Sequence, residues 1–340
     1  MQTARGSQLL DSVRPEAGTT VVFDHDLWHD GEPVTAGTKV VIRSDVMYER
    51  DPEHDLDAPV PHDRLGEHAG YVFSVIRRRD GSLASASRDR AILRWHHDGA
   101  AWHDLERLTG HTASVTCLAE AAYGALWSGS RDHQLRRWSD GSTVIGRHAG
   151  AVLAMVALPD GGMASAGADG AIRLWSTKGQ LRSELFTDDG WIASLAVGNG
   201  CLWSAAHNGA LRSWSLDGSS CTVSREAAPL RAVACFGTTV AWGDDRGDIV
   251  IDTNESLRGA RGHRGAVCAL AFDDAGHLAS CGEDGEVRVV DPVTLSSEVV
   301  QRHDGFACCL TWTGGAVVSG GYDDQLRVST AVSRAMTAPL

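Results

Sequence analysis

The chain has 340 residues, of which 43% are hydrophobic and 22% are charged, a balance typical of a folded globular protein and not of a disordered one. The formal net charge of -13 disfavours nucleic-acid binding, because phosphate contacts depend on clustered Lys and Arg. No apolar run approaches membrane-spanning length and no signal-peptide pattern is found, so we expect a soluble, cytoplasmic protein that binds neither nucleic acid nor membrane.

The first sixty residues differ from the rest of the chain. They hold twelve acidic and five basic side chains and no copy of the repeat that follows. Two β-rich runs, Thr19 to Phe23 and Lys39 to Arg43, are separated by turns that contain Gly and Pro. By itself this segment is too small to bury a core.

Several residues of this segment have a characteristic spacing. They are Pro15, Gly18, the run 20–23, His29, Gly31, Val34, Gly37 and Lys39. The pattern resembles the closing strands of iron(II) and 2-oxoglutarate dependent dioxygenases of the prolyl 4-hydroxylase type. The resemblance implies a partial double-stranded β-helix over residues 1–50, with His29 as the distal iron ligand. It also implies that Lys39, or Arg43 on the same strand, holds the carboxylate of 2-oxoglutarate.

The rest of that iron site is missing from the sequence. No H-x-D or H-x-E triplet precedes His29, and the triplet that starts at His96 comes after the first repeat has begun. We therefore expect no catalytic residue and no cofactor in this chain by itself, with His29 a turn histidine. Lys39 is either an ordinary strand-edge lysine or an ancestral 2-oxoglutarate contact. Two explanations stay open: a truncated or split oxygenase completed by upstream sequence or a separate chain, and a decayed remnant.

Residues 51–62, DPEHDLDAPVPH, are predicted to be an acidic, Pro-containing linker. Two ways of closing the repeat array that follows stay open. Residues near 59–66 could supply the outer strand of the last repeat, or the tail 331–340 could take that place.

The remainder of the chain is built from seven copies of one unit, of which Leu108 to Trp138 is the clearest. The first anchor of each copy, at intervals of 37 to 43 residues, is His68, His111, His148, Asp188, Glu226, His263 and His303. A turn residue follows 19 to 21 positions later, at Asp89, Asp132, Asp169, Asn208, Asp245, Asp284 and Asp323. The closing residue comes six positions after that, and it is Trp in the first four copies: Trp95, Trp138, Trp175 and Trp214.

This period and signature resemble the WD40 repeat family. The resemblance implies an all-β fold: a seven-bladed WD40 β-propeller over residues 63–340, preceded by a short N-terminal β-rich segment. The copies are predicted at 63–100, 104–141, 143–180, 182–218, 221–256, 258–295 and 299–336. The resemblance also implies that His, turn Asp, a strand Ser and Trp form a hydrogen-bonded chain inside a blade. Because these sets recur in copy after copy, we interpret them as architecture and not as catalytic triads.

Function is therefore expected where the copies differ. By resemblance to the family, the positions three and five after the anchor and the one before the turn acid lie on the top face of the propeller. In these columns we select candidate partner-binding residues: Tyr71, Phe73, Arg88, Arg131, Trp191, Arg231, Phe306 and Tyr322. Copies seven and one become neighbours when the ring closes. We therefore expect the rings of these two copies to cluster beside Arg88, namely Tyr71, Phe73, Phe306 and Tyr322.

The leading functional hypothesis is a non-enzymatic scaffold that holds a protein or peptide on the top face. The alternative is a truncated or split 2-oxoglutarate-dependent oxygenase whose propeller recruits the substrate. The eight cysteines form no zinc-like pair and are expected to be reduced thiols.

Overall fold

The computed structural model describes residues 62–329, apart from residues 140, 188, 217–220, 227, 254 and 293. The chain divides into two compact units, Met1–Asp51 and Pro52–Leu340, and all described residues lie in the second. The predicted roles of His29, Lys39 and Arg43 therefore fall outside the described residues.

The described residues form seven four-stranded antiparallel sheets, which we call blades 1 to 7. Blade 1 contains β2 (Val72–Arg77), β3 (Leu83–Ser87), β4 (Ala91–His97) and β5 (Trp102–Thr109). Blade 2 contains β6 (Val115–Glu120), β7 (Leu126–Ser130), β8 (Gln134–Ser139) and β9 (Gly141–Arg147), and a 3-10 turn, Ala122–Gly124, joins its first two strands. Blade 3 contains β10 (Val152–Ala157), β11 (Met163–Gly167), β12 (Ala171–Trp175) and β13 (Leu181–Phe186). Blade 4 contains β14 (Ile192–Gly198), β15 (Cys201–Ala206), β16 (Ala210–Ser215) and β17 (Cys221–Arg225).

The last three blades repeat this order. Blade 5 contains β18 (Leu230–Phe236), β19 (Thr239–Asp244), β20 (Asp248–Asp252) and β21 (Leu257–Arg261). Blade 6 contains β22 (Val267–Phe272), β23 (Leu278–Gly282), β24 (Glu286–Val290) and β25 (Ser297–Arg302). Blade 7 contains β26 (Ala307–Thr313), β27 (Ala316–Gly321), β28 (Gln325–Ser329) and, as its outer strand, β1 (His62–Glu67).

The blades form a closed ring around a central channel. The first strand of each blade contacts the first strand of the next, from β2 through β6, β10, β14, β18, β22 and β26 back to β2. The predicted seven-bladed β-propeller is thus confirmed. The first strand of each blade is the inner edge of its sheet, and this short edge is protected by its position at the channel between neighbouring blades.

The N-terminal strand completes the last blade. β1 pairs antiparallel with β28, with His62 opposite Ser329 and Glu67 opposite Gln325. Of the two ways of closing the ring, the structure has the one in which residues before the first blade supply the outer strand of the last. This pairing ties the two ends of the propeller together, so opening the ring breaks a sheet.

Burial explains why the second strands are built from small residues. The sequences LASAS, LWSGS and MASAG of β3, β7 and β11 are completely buried. They lie beneath the first strand of the following blade: a Cβ on Gly129 would come within 2.5 Å of Val152 Cγ1. The same steric limit applies where the closing Trp packs on the outer strand of the preceding blade: a Cβ on Gly66 would lie 2.3 Å from the Trp95 ring. The core is therefore divided among the interfaces between blades.

Candidate functional site

One face of the ring, the top face, is formed by the turns between second and third strands and by the loops that carry the anchor histidines. In blade 2 these two elements are held together by hydrogen bonds. Trp138 Nε1 donates to Ser128 Oγ at 2.8 Å, and Ser128 Oγ lies 2.7 Å from His111 Nε2. His111 Nδ1 lies 2.9 Å from Asp132 Oδ2. The predicted chain of His, Asp, Ser and Trp is confirmed in this blade.

Equivalent chains are present in blades 1 and 3. In blade 1 Ser85 links His68 and Trp95, and in blade 3 Ser165 links His148 and Trp175. Blades 6 and 7 keep the histidine, serine and aspartate without the tryptophan. Recurrence of the same contacts in five blades supports their interpretation as architecture.

The direction of the hydrogen bonds defines the protonation of His111. The indole can only donate to Ser128, so the serine hydroxyl is left to donate to His111 Nε2, and Nδ1–H is left to donate to Asp132. Burial lowers the pKa of His111, which favours this neutral form. Burial by itself would raise the pKa of Asp132, but backbone N–H groups of Thr112 and Gln134 and the His111 ring hold it below its usual range.

Blade 4 and blade 5 depart from the predicted anchors. In blade 4 the predicted anchor Asp188 lies outside the described residues, and the buried group in that place is Asp189, which accepts a hydrogen bond from Asn208 and pairs with Arg212. An ion pair thus replaces the histidine network there.

The turn role predicted for Asp245 is wrong. The turn hydrogen bond of blade 5 runs from Gly247 N to Asp244 O, as it runs from Gly170 N to Gly167 O in blade 3. This register puts Arg246 at the turn-acid position and Asp245 one residue earlier, on the top face. There Asp245 forms an ion pair with Arg231.

In each blade a β-bulge determines where the side chain five positions after the anchor points. In every blade the pairing of the first and second strands skips one residue near its top end, five positions after the anchor. These residues are Phe73, Thr116, Leu153, Ala193, Arg231, Cys268 and Cys308, and all of them line a cavity of about 190 Å³ in the channel. A bulge re-aims the side chain of its extra residue, which here points to the channel.

Four of the predicted partner-binding residues come together where blade 7 meets blade 1. Tyr71 and Tyr322 are stacked, with ring centroids 4.1 Å apart and an interplanar angle of 4°. Phe73 contacts both rings edge-on, at 6.5 Å and 6.2 Å. Phe306 lies 5.1 Å from Tyr322. We call these four half-buried rings the aromatic seam.

Two exposed arginines lie against the aromatic seam. The guanidinium carbon of Arg88 is 4.9 Å from the centroid of Tyr71, and that of Arg131 is 5.4 Å from the centroid of Phe73. Arg88 was expected beside the rings. Arg131 reaches from blade 2 to a ring of blade 1, and this contact was not foreseen. Aligning the repeats does not show which neighbouring blade a long side chain contacts.

The remaining predicted residues lie elsewhere on the top face. Trp191 is 42% exposed on blade 4 and contacts the His207 ring at 5.8 Å. Arg231 lies at the channel mouth on blade 5, held by Asp245. The structure thus brings six of the eight predicted residues into one contiguous group and leaves these two outside it.

Asp324 was missed by sequence reasoning, although the doublet at 323–324 was its signal. It follows the turn acid of blade 7 and has a left-handed backbone with φ of 64°. Its Oδ1 is buried without a hydrogen-bond partner in the part of the chain that the structure describes. Burial and the neighbouring charge of Asp323 raise the pKa of Asp324, and the nearby positive charge of Arg88 opposes this rise.

The cysteine side chains that the structure describes are free thiols. Burial raises the pKa of Cys117 and of Cys309 to about 12, which disfavours nucleophilic thiolates. Within residues 62–329, the described parts hold no cluster of three or more His, Cys, Asp or Glu side chains placed to bind a metal ion. In the same parts no helix is long and apolar enough to span a membrane.

Comparison with protein families identifies the repeat. The family model described as WD domain, G-beta repeat matches residues 102–139, 142–176 and 254–291. Each matched segment begins in or just before the outer strand of one blade and continues into the first three strands of the next, which is the offset already seen between β1 and blade 1. These three segments therefore match WD40 repeats, and the fold of the described residues is a seven-bladed β-propeller. No curated protein matches the chain.

Proposed function

We propose that this propeller is a protein-interaction scaffold that holds a protein or peptide over the aromatic seam of its top face. WD40 propellers generally bind proteins or peptides, and the histidine networks of this chain are occupied in holding the blades together. What supports the site is the continuous group formed by the aromatic seam and Arg88.

Both the composition and the arrangement of this group suit an interface. Tyr and Arg dominate binding hot spots, because rigid rings and a planar guanidinium offer large contact areas at low entropic cost. The rings already hold each other in fixed positions, so a partner meets a preorganised surface. The histidine networks recur in several blades, whereas this group of rings and Arg88 lies at the junction of blades 7 and 1. The group therefore distinguishes that junction from the others.

The test is capture of partners from a cell extract by the purified chain. Replacing Tyr71, Arg88 and Tyr322 together by Ala is expected to abolish capture of the specific partner while the melting transition stays within a few degrees of the wild type. The matched control is Tyr123→Ala, since Tyr123 is 98% exposed in the turn between the first two strands of blade 2, on the opposite face. A folded triple variant that still captures the partner, or loss of capture with Tyr123→Ala alone, would contradict the proposal.

A further inference from the structure

The two arginines of the seam form no ion pair with a described side chain. Arg88 and Arg131 are exposed, and within the described parts of residues 62–329 neither forms an ion pair. The carboxylates next to them in the chain, Asp89 and Asp132, are instead held by their histidines. The top of blades 1 and 2 therefore presents two guanidinium groups without an ion pair, on a chain whose net charge is -13.

Cation–π contacts hold these guanidinium groups in place. Each stacks on a ring of the seam, and the two rings concerned, Tyr71 and Phe73, are 6.5 Å apart. A stacked guanidinium keeps its N–H edge free, and that edge matches the two oxygens of a carboxylate. The arrangement resembles a pair of anion receptors fixed side by side at the edge of the seam.

The same contacts disfavour a cationic partner group at this place. The ring centroids of Tyr322 and Tyr71 are 4.1 Å apart, and the guanidinium carbon of Arg88 lies 4.9 Å from the Tyr71 centroid. These two contacts leave little of the Tyr71 ring free for a lysine or a methylated amine. The positive charges of Arg88 and Arg131 would also repel such a group. The half-buried carboxylate of Asp324 is within electrostatic reach of Arg88, although no ion pair joins these two described residues.

We propose that the partner held over the aromatic seam presents an acidic segment, whose Asp or Glu carboxylates are bound by Arg88 and Arg131 beside apolar groups that cover the rings. This inference rests on the proposed function and deepens it. Because charges are screened over about 8 Å at physiological salt, the negative charge of distant parts of the chain has little effect on a carboxylate that contacts these two guanidinium groups.

The test is selection of random twelve-residue peptides displayed on phage against the immobilised full chain. Selected peptides are expected to be enriched in Asp and Glu relative to the starting library. A selected peptide, made with a fluorescent label, is expected to lose at least about tenfold in affinity when its acidic residues are replaced by Asn and Gln. Its affinity is also expected to fall as NaCl is raised from about 0.05 M to about 0.5 M.

Two variants of the chain, one of them a control, assign the effect to residues. Replacing Arg88 and Arg131 by Gln is expected to lower the affinity for the acidic peptide about as much as removing the peptide's charges does. The same replacement is expected to change the affinity for the Asn and Gln version of the peptide little. The control Arg79→Gln removes a positive charge between the first two strands of blade 1, on the opposite face, and is expected to leave binding unchanged. A serine-phosphorylated version of the peptide that binds far better than the acidic one would replace carboxylate by phosphate as the ligand and contradict the inference as stated.

The remaining outcomes separate the two proposals. Seam-dependent peptides without an excess of acidic residues would overturn the acidic-partner inference and leave the scaffold function standing. Peptides that bind Tyr71→Ala and Tyr322→Ala variants as well as the wild type, or the enrichment of no seam-dependent peptide at all, would overturn both.

Discussion

The hydrogen-bonded chain of blade 2 makes a quantitative prediction about stability. Ser128 is fully buried and serves two partners, the indole N–H of Trp138 and the Nε2 atom of His111. Replacing Ser128 by Ala leaves both groups buried without their partner. Since each such group costs about 1–3 kcal/mol, we expect the free energy of unfolding to fall by about 2–6 kcal/mol.

Blade 6 offers a matched control. Ser280 is equally buried and lies 2.8 Å from His263 Nε2, but the closing residue of this blade is Val290, so no indole donates to it. Ser280→Ala should therefore cost about 1–3 kcal/mol less than Ser128→Ala. Urea unfolding, followed by tryptophan fluorescence and circular dichroism, measures both. Equal losses in the two blades, or a loss below about 0.5 kcal/mol for Ser128→Ala, would refute the reasoning.

Three further predictions concern pH, ring closure and the N-terminal segment. The pKa of His111 is lowered from its usual 6.5 and that of Asp132 from 3.8, so the folded state binds fewer protons than the unfolded chain. The free energy of unfolding should therefore fall as pH drops below about 6.5 and fall again below about 3.8. A urea midpoint that does not change between pH 7 and pH 5 would contradict this. Gly66→Val places side-chain atoms against the Trp95 ring and should destabilise the propeller by about 1–3 kcal/mol, which a melting temperature equal to the wild type would disprove. The purified chain is expected to hold no iron(II) and to form no succinate from 2-oxoglutarate; stoichiometric iron together with succinate would instead establish the oxygenase alternative around His29.

The propeller was predictable because its repeat places chemically distinctive residues at fixed spacing. A buried histidine needs a partner for each ring nitrogen, so His111, Ser128, Asp132 and Trp138 must stay in register for the network to close. Where a blade satisfies its interior differently, the same reasoning fails. Blade 5 has neither the histidine nor the tryptophan, and without them the turn was assigned one residue away from its observed place.

The outer strands were less visible for a different reason. β5 is exposed along most of its length, and Leu105 is 59% exposed in its middle, so no alternation of buried and exposed residues marks it in the sequence. The aromatic seam lies between these cases. Its clustering followed from ring closure and column positions, whereas the stacking of Tyr71 on Tyr322 and the reach of Arg131 depend on rotamers that spacing does not determine.

The proposed partner occupies the top face over the junction of blades 7, 1 and 2. The most direct test of this position places a photoreactive benzoylphenylalanine at Ser114, beside Arg131 on the top face, and in a second protein at Tyr123 on the opposite face. Irradiation in cell extract is expected to yield a discrete crosslinked partner from position 114 and none from position 123. A crosslinked partner from position 123 alone would contradict the account.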